Sequence, residues 1–167
     1  MAIALFVARF QPMHKGHERA IKNLLKKYEK VVIVIAAADK SRTEKNPFTV
    51  EERKAMIEMV FSKEIEEGKI QVLPVEDKSS DEEWANEIIS KTQFDEVVTA
   101  SDWVAKCFEN KKPVKKIKLY KGDLLNSTNI RRMIKEGNPE WKKLVNKKII
   151  NYIYEVALKN FFYSLSS

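Results

Sequence analysis

Short, wholly apolar runs alternate along this chain with longer stretches in which apolar residues recur three and four apart. The first run, residues 2–8, contains no polar position, the pattern of a strand buried on both faces. From His17 to Tyr28, the residues Ile21, Leu24, Leu25 and Tyr28 fall at i, i+3, i+4 and i+7 and predict a helix. Val31–Ala38 predicts a second central strand. Thr49 with Glu52 forms a capping box, opening a helix that continues through Ala55, Met56, Met59 and Val60. Ile70–Val75 reads as a third strand. Ser80 with Glu83 is a second capping box, starting a helix to about Lys91. Glu96–Ala100 predicts a fourth strand and Asp102–Glu109 a short helix. In Lys116–Tyr120 charged and apolar residues alternate, which suits a fifth strand nearer an edge. Asn126 or Ser127 caps a helix ending at Gly137, and Lys147–Phe162 predicts a longer helix rich in aromatics.

Strand followed by helix, five times over, implies a doubly wound α/β fold with a five-stranded parallel sheet, in a single domain spanning residues 1–167. Ligands of such folds bind beyond the carboxyl ends of the strands. That directs attention to the loops after residues 8, 38, 75, 100 and 120.

Composition narrows the picture in three places. No apolar run is long enough to cross a bilayer, and the apolar N-terminus has no basic stretch before it, so it reads as a strand and not a signal peptide. Cys107 is the single cysteine, which excludes a disulfide framework within the chain and suits a reducing cytoplasm. Gly16, Gly68, Gly122 and Gly137 are the only glycines, and none share the close spacing of a Walker A loop or a dinucleotide fingerprint. A formal net charge of +7 favours a polyanionic partner: a polyphosphate ligand, nucleic acid or anionic lipid.

Both histidines of the chain, His14 and His17, fall in the first of those loops, Arg9-Phe10-Gln11-Pro12-Met13-His14-Lys15-Gly16-His17. Two imidazoles beside a helix N-terminus make an anion site without a glycine-rich loop. A plain surface turn or a fragment of a metal site are the alternatives, the second lacking a third histidine or a cysteine. The loop resembles the HxGH motif of the nucleotidyltransferase superfamily, and its wider string resembles the opening of archaeal-type nicotinamide-mononucleotide adenylyltransferases. Asn46-Pro47-Phe48-Thr49-Val50-Glu51-Glu52-Arg53 and Ser127-Thr128-Asn129-Ile130-Arg131-Arg132 resemble two later segments of that family, in the expected order.

Of the 31 basic residues only six are arginines, and four of those, Arg9, Arg53, Arg131 and Arg132, lie in these three segments. Guanidinium groups hold phosphate in a planar, bidentate way that ammonium groups do not. The resemblance implies transfer of the adenylyl group of ATP to nicotinamide mononucleotide, with Mg²⁺ bridging phosphates and no confident carboxylate ligand for it. No protein nucleophile is needed, because an ionised acceptor phosphate attacks the α-phosphate directly. His14 and His17 would then face the triphosphate, with His17 stabilising the transition state. Arg131, Ser127 and Thr128 would hold the β- and γ-phosphates, and Phe10, Gln11 and Gly16 would border them. The resemblance alone places Arg9 and Arg53 at the acceptor phosphates. It also places Trp84 on the nicotinamide ring, although spacing with Ile88 suits a core residue equally.

The sequence departs from the family at Ala36–Arg42, at Asp81, where the family usually has asparagine, and at Ala100-Ser101. The resemblance implies that all three touch the base and nicotinamide pockets. Asp81 implies preference for an amide over an acid on the acceptor. Trp103 and Trp141 read as packing residues. The same chemistry on another acceptor is the nearest alternative. A nucleic-acid-binding module, motivated by the basic runs Lys111–Lys118 and Lys142–Lys148, is the competing class. Tyr152, Tyr154, Phe161, Phe162 and Tyr163 exceed what one helix face buries, and the resemblance adds the expectation of a homo-oligomer.

Overall fold

Five parallel strands run side by side in the order β3-β2-β1-β4-β5 in the computed structural model, which describes residues 2–157 and Lys159. They are β1 (Ile3–Ala8), β2 (Lys30–Ile35), β3 (Ile70–Pro74), β4 (Glu96–Thr99) and β5 (Val114–Lys116). The connecting helices are α1 (Lys15–Lys27), α2 (Val50–Glu66), α3 (Asp81–Lys91) and α4 (Asp102–Phe108). After β5 come α5 (Ser127–Lys135), two 3₁₀ turns (Pro139–Leu144 and Lys147–Ile149) and α6 (Ile150–Ala157).

The two-residue period of a strand sorts the core into two layers. Ala4 and Phe6 of β1 face Ile21 and Leu24 of α1 and Met56, Ile57 and Phe61 of α2. Leu5 and Val7 face Trp84, Ala85 and Ile88 of α3 and Val104 and Phe108 of α4. Burying each large side chain of this kind contributes roughly 1.5 to 3 kcal/mol, which is why β1, and β2 after Lys30, carry no polar interruption. β1 pairs with β2 on one side and β4 on the other, so the chain leaves the sheet in opposite directions at this point. The loops after β1 and β4 diverge there and leave a crevice.

Several expected boundaries move for identifiable reasons. β2 stops at Ile35 because Ala37 turns into the left-handed region (φ 50). β5 is Val114–Lys116, not Lys116–Tyr120, because its partner offers only Val97–Thr99. Ile117 makes a last bond to the Thr99 carbonyl, after which Ile117 and Leu119 pack on the first core layer outside any strand. Ser80 caps α3, but Glu83 turns to the Ser79 hydroxyl (2.7 Å), so the reciprocal half of the expected box is missing. The helix expected over Lys147–Phe162 is a 3₁₀ turn followed by α6, and Phe161, Phe162 and Tyr163 lie outside the described residues. No helix among the described residues is long and apolar enough to cross a membrane.

Candidate active site

The first turn of α1 is built from the two histidines. His14 is the N-cap, a place more often taken by Ser, Thr, Asp or Asn, and its Nδ1 accepts the Gly16 N–H (3.0 Å). His17, three residues on, returns the bond: its Nδ1 accepts the His14 N–H (3.2 Å). This is a capping box made of imidazoles, with the rings stacked at 3.7 Å. Because each Nδ1 must present a lone pair, the ring proton of each neutral histidine sits on Nε2. Gly16 is required by space: a Cβ there would lie 2.8 Å from His14 Cε1.

Both rings are buried, His14 at 2% and His17 at 5% exposure. Burial lowers His14 to about 4, and His17 falls well below the ordinary 6.5 through burial and the neighbouring His14 charge. Both are therefore neutral donors near pH 7. The unfolded chain takes up protons below pH 6.5, whereas the folded chain does not until near the lowered values. Stability is thus fully present above pH 6.5 and is lost on acidification through the window down to about 4. We expect the unfolding free energy from urea titrations to fall from pH 7 to pH 5 at up to about 1.4 kcal/mol per pH unit for each histidine. A flat profile there would show the rings to be solvated.

Across the crevice, Asn126 caps α5 by accepting the Asn129 N–H (2.8 Å). That leaves the Ser127 hydroxyl to donate to the Pro12 carbonyl (2.9 Å), pinning α5 to the loop after β1. Arg131 donates to the Gln11 carbonyl (2.9 Å) and to Thr128 Oγ1 (3.3 Å). Arg9, Phe10, Gln11, His17, Ser127, Thr128 and Arg131 surround one cavity of about 360 Å³, joined by Lys45. No carboxylate lines it. Burial and the adjacent Arg9 both lower the Arg131 pKa, so the pair of guanidiniums is left without a compensating carboxylate in the cavity wall. Phe10 adopts φ 55 and packs against Phe6 and His17, which aims the loop at the cost of about 1 kcal/mol or more.

A second cavity of about 430 Å³ lies beside the first and has mostly apolar walls, including Phe6, Val7, Ala36, Trp103, Val104 and Leu119. Arg9 and His17 line both cavities.

Five of the expected site residues are placed elsewhere. His14 lies behind His17 as its cap and is not in either wall. Gly16 serves the His14 ring. Arg53 is fully buried and all its N–H groups are spent on backbone carbonyls. Its Nε donates to Thr49, Nη1 to Arg9 and Ala36 (3.0 and 2.8 Å), and Nη2 to Ala37 and Lys40 (3.0 and 3.3 Å). It clamps the loops after β1 and β2 and cannot also hold a phosphate. Trp84 is 1% exposed, a core residue beneath Trp103. Asp81 accepts the Trp103 indole N–H (3.0 Å) instead of lying in a cavity wall. Gln11 does border the first cavity, but its side-chain amide is tied to the Phe48 backbone on both sides. Lys45 in the first cavity, and Phe6, Val7, Ala8, Trp103, Val104 and Leu119 in the second, are wall residues that sequence reasoning did not assign to a site. Only Lys45 had a signal, standing one residue before the Asn46–Arg53 segment.

A model described as cytidylyltransferase-like matches residues 5–150. The chain belongs to the cytidylyltransferase-like family. Its two shared-wall residues, Arg9 and His17, both fall inside that matched region. Relatives named nicotinamide-nucleotide adenylyltransferase include one from Thermococcus kodakarensis, 36% identical over 155 residues, covering 91% of this chain and 82% of the relative. Another, nicotinamide-nucleotide adenylyltransferase 1 of Sulfolobus acidocaldarius, is 30% identical over 156 residues, covering 92% and 89%. Among solved structures, a bifunctional NMN adenylyltransferase/ADP ribose pyrophosphatase from Francisella tularensis, complexed with AMP and a Mn ion, superposes with a TM-score of 0.78. It is 24% identical, and the match covers 99% of this chain but 52% of that one, so this chain spans about half of the bifunctional protein. At that identity the likeness concerns the fold, the cytidylyltransferase-like sheet.

Proposed function

We propose that this chain transfers the adenylyl group of ATP to nicotinamide mononucleotide, forming NAD and pyrophosphate. The observation that carries the proposal is that Arg9 and His17 stand in the walls of two adjoining cavities, one cationic and one apolar. Two phosphorylated substrates placed in them meet at that shared wall. The names of the relatives supply the acceptor.

The chemistry follows from the groups present. An oxygen of the acceptor phosphate bonds to the α-phosphorus of ATP, and the bond from that phosphorus to the oxygen bridging the β-phosphate breaks. Pyrophosphate leaves with the electron pair and its negative charge. Arg131, Lys45 and Thr128, which line the cationic cavity, would receive that charge, and the neutral Nε2–H of His17 would donate to oxygens of the transferring group. Arg131 and His17 are each held beforehand by their own hydrogen bonds, so the transition state gains electrostatic stabilisation there with little reorganisation. No three His, Cys, Asp or Glu side chains cluster as a metal site among the described residues. No carboxylate lines the cationic cavity, so its residues offer no ligand set for a resident ion, and Mg²⁺ would enter with ATP as the counter-ion of its phosphates.

One domain, a cytoplasmic location and self-association complete the proposal. Residues 5–150 matching one family supports the first, and Tyr154, half exposed on α6, offers a contact for the last. The decisive experiment mixes purified protein, MgATP and nicotinamide mononucleotide. NAD and pyrophosphate should appear one for one. Pyrophosphate release only with some other acceptor would overturn the assignment.

A further inference from the structure

The positive charge of the chain is not spread evenly. On α2 and α3 the lysines are interleaved with glutamates and pair four residues apart, as in Lys54–Glu58, Lys63–Glu67 and Lys91–Glu87. The exposed face of α1 is different. Lys15, Arg19, Lys22 and Lys26 stand at i, i+4, i+7 and i+11, an exposed stripe about 16 Å long at the helical rise. Together with Lys142, Lys147 and Lys148 of the two 3₁₀ turns, that stripe lines a groove of about 750 Å³.

Seven cations therefore border this groove against one carboxylate, in a chain whose formal net charge is +7. The carboxylate is buried Glu18, which accepts from Lys22 (2.8 Å) and Asn146 (2.9 Å). Among the described residues the other six cations make no ion pair. Arg19, Asn23 and Tyr120 also line an adjoining cavity of about 310 Å³, where Lys27, Lys115 and Lys118 stand and no carboxylate does. The fold thus gathers members of both basic runs of the sequence on one continuous surface, and a polyanion is the partner that complements it. None of these cations lines either substrate cavity.

Tyr120 decides which polyanion. It stands where the two grooves join, is 43% exposed, and has the Arg19 guanidinium 4.0 Å over its ring. Cations that track a phosphate backbone around an open aromatic suit a single strand, whose unpaired bases stack on rings and guanidinium planes. A duplex keeps its base faces covered, and a bilayer surface does not enter a groove.

We propose that this groove binds single-stranded nucleic acid, at a site separate from the adenylyl-transfer cavities and independent of that reading. Fluorescence anisotropy of short labelled oligouridylate and oligothymidylate with the full chain tests it. Binding should have a Kd between roughly 1 and 100 μM at about 0.1 M salt and weaken steeply as salt rises. K26E/K147E reverses one charge on each side of the groove. It should weaken binding at least about tenfold and flatten the salt dependence, with kcat/KM for NAD formation unchanged. Y120A, which alters no charge, should weaken binding about fivefold or more, and H17A should bind as wild type does. Absence of binding, wild-type affinity in folded K26E/K147E and Y120A, or equal binding of a duplex or of phosphatidylserine vesicles overturns the inference. A chain that binds the oligonucleotides but makes no NAD overturns the adenylyl-transfer reading and leaves this one standing.

Discussion

Replacing His17 by alanine lowers kcat by about a hundred- to a thousandfold, the cost of removing one preorganised donor from a charge-developing centre. The size follows from position: His17 lines both cavities, and its Nδ1 is committed to the His14 N–H, so Nε2–H is the only donor the ring can offer. The same change removes half of a helix cap, worth about 1 kcal/mol, so circular dichroism and thermal melting accompany the kinetics. A folded H17A enzyme within tenfold of wild-type kcat would show that the α-phosphate of the transferring adenylyl group lies elsewhere.

Replacing Arg53 by alanine acts on stability. Five carbonyls from three segments lose their donor at once, and leaving buried acceptors unpaired costs roughly 3 to 5 kcal/mol, or about 10 to 15 °C in Tm. Burial has already lowered the guanidinium to about 10, with the nearby Arg9 charge adding to the cost, so this group is present for its hydrogen bonds despite its charge. Arg53→Lys should restore less than half of the lost Tm, because three ammonium protons cannot reach carbonyls placed around a planar fork. A near-wild-type Tm in R53A with a raised KM for the acceptor would return Arg53 to the phosphate-contacting role its motif suggests.

Arg53 also shows where sequence legibility ends. Its neighbours in the chain announce a capped helix, and Thr49 and Glu52 do form that cap, but nothing local reveals that the carbonyls of Arg9, Ala36, Ala37 and Lys40 converge on it. The strands were legible because full burial forces unbroken apolar runs. β5 was not, because Ile117 and Leu119 keep an alternating pattern while packing beyond the sheet edge. The cradle was legible through its rare residue types: two histidines at one loop and few arginines. His14 as an N-cap was hidden by the ordinary preference for small polar caps. That Trp84 is a core residue while Trp103 lines a cavity was hidden too, since α3 and α4 each show one tryptophan and only their packing decides which of them meets the cavity.

The imidazole capping box ties substrate affinity to the winding of a single helical turn. Should residues 14–17 fray, the site loses its shape at the moment the backbone loses its first hydrogen bonds, and no half-formed pocket persists. Ligand and helix end therefore share one opening equilibrium, and saturating nucleotide should slow amide hydrogen exchange at Gly16 and His17 by the same factor by which it suppresses that opening.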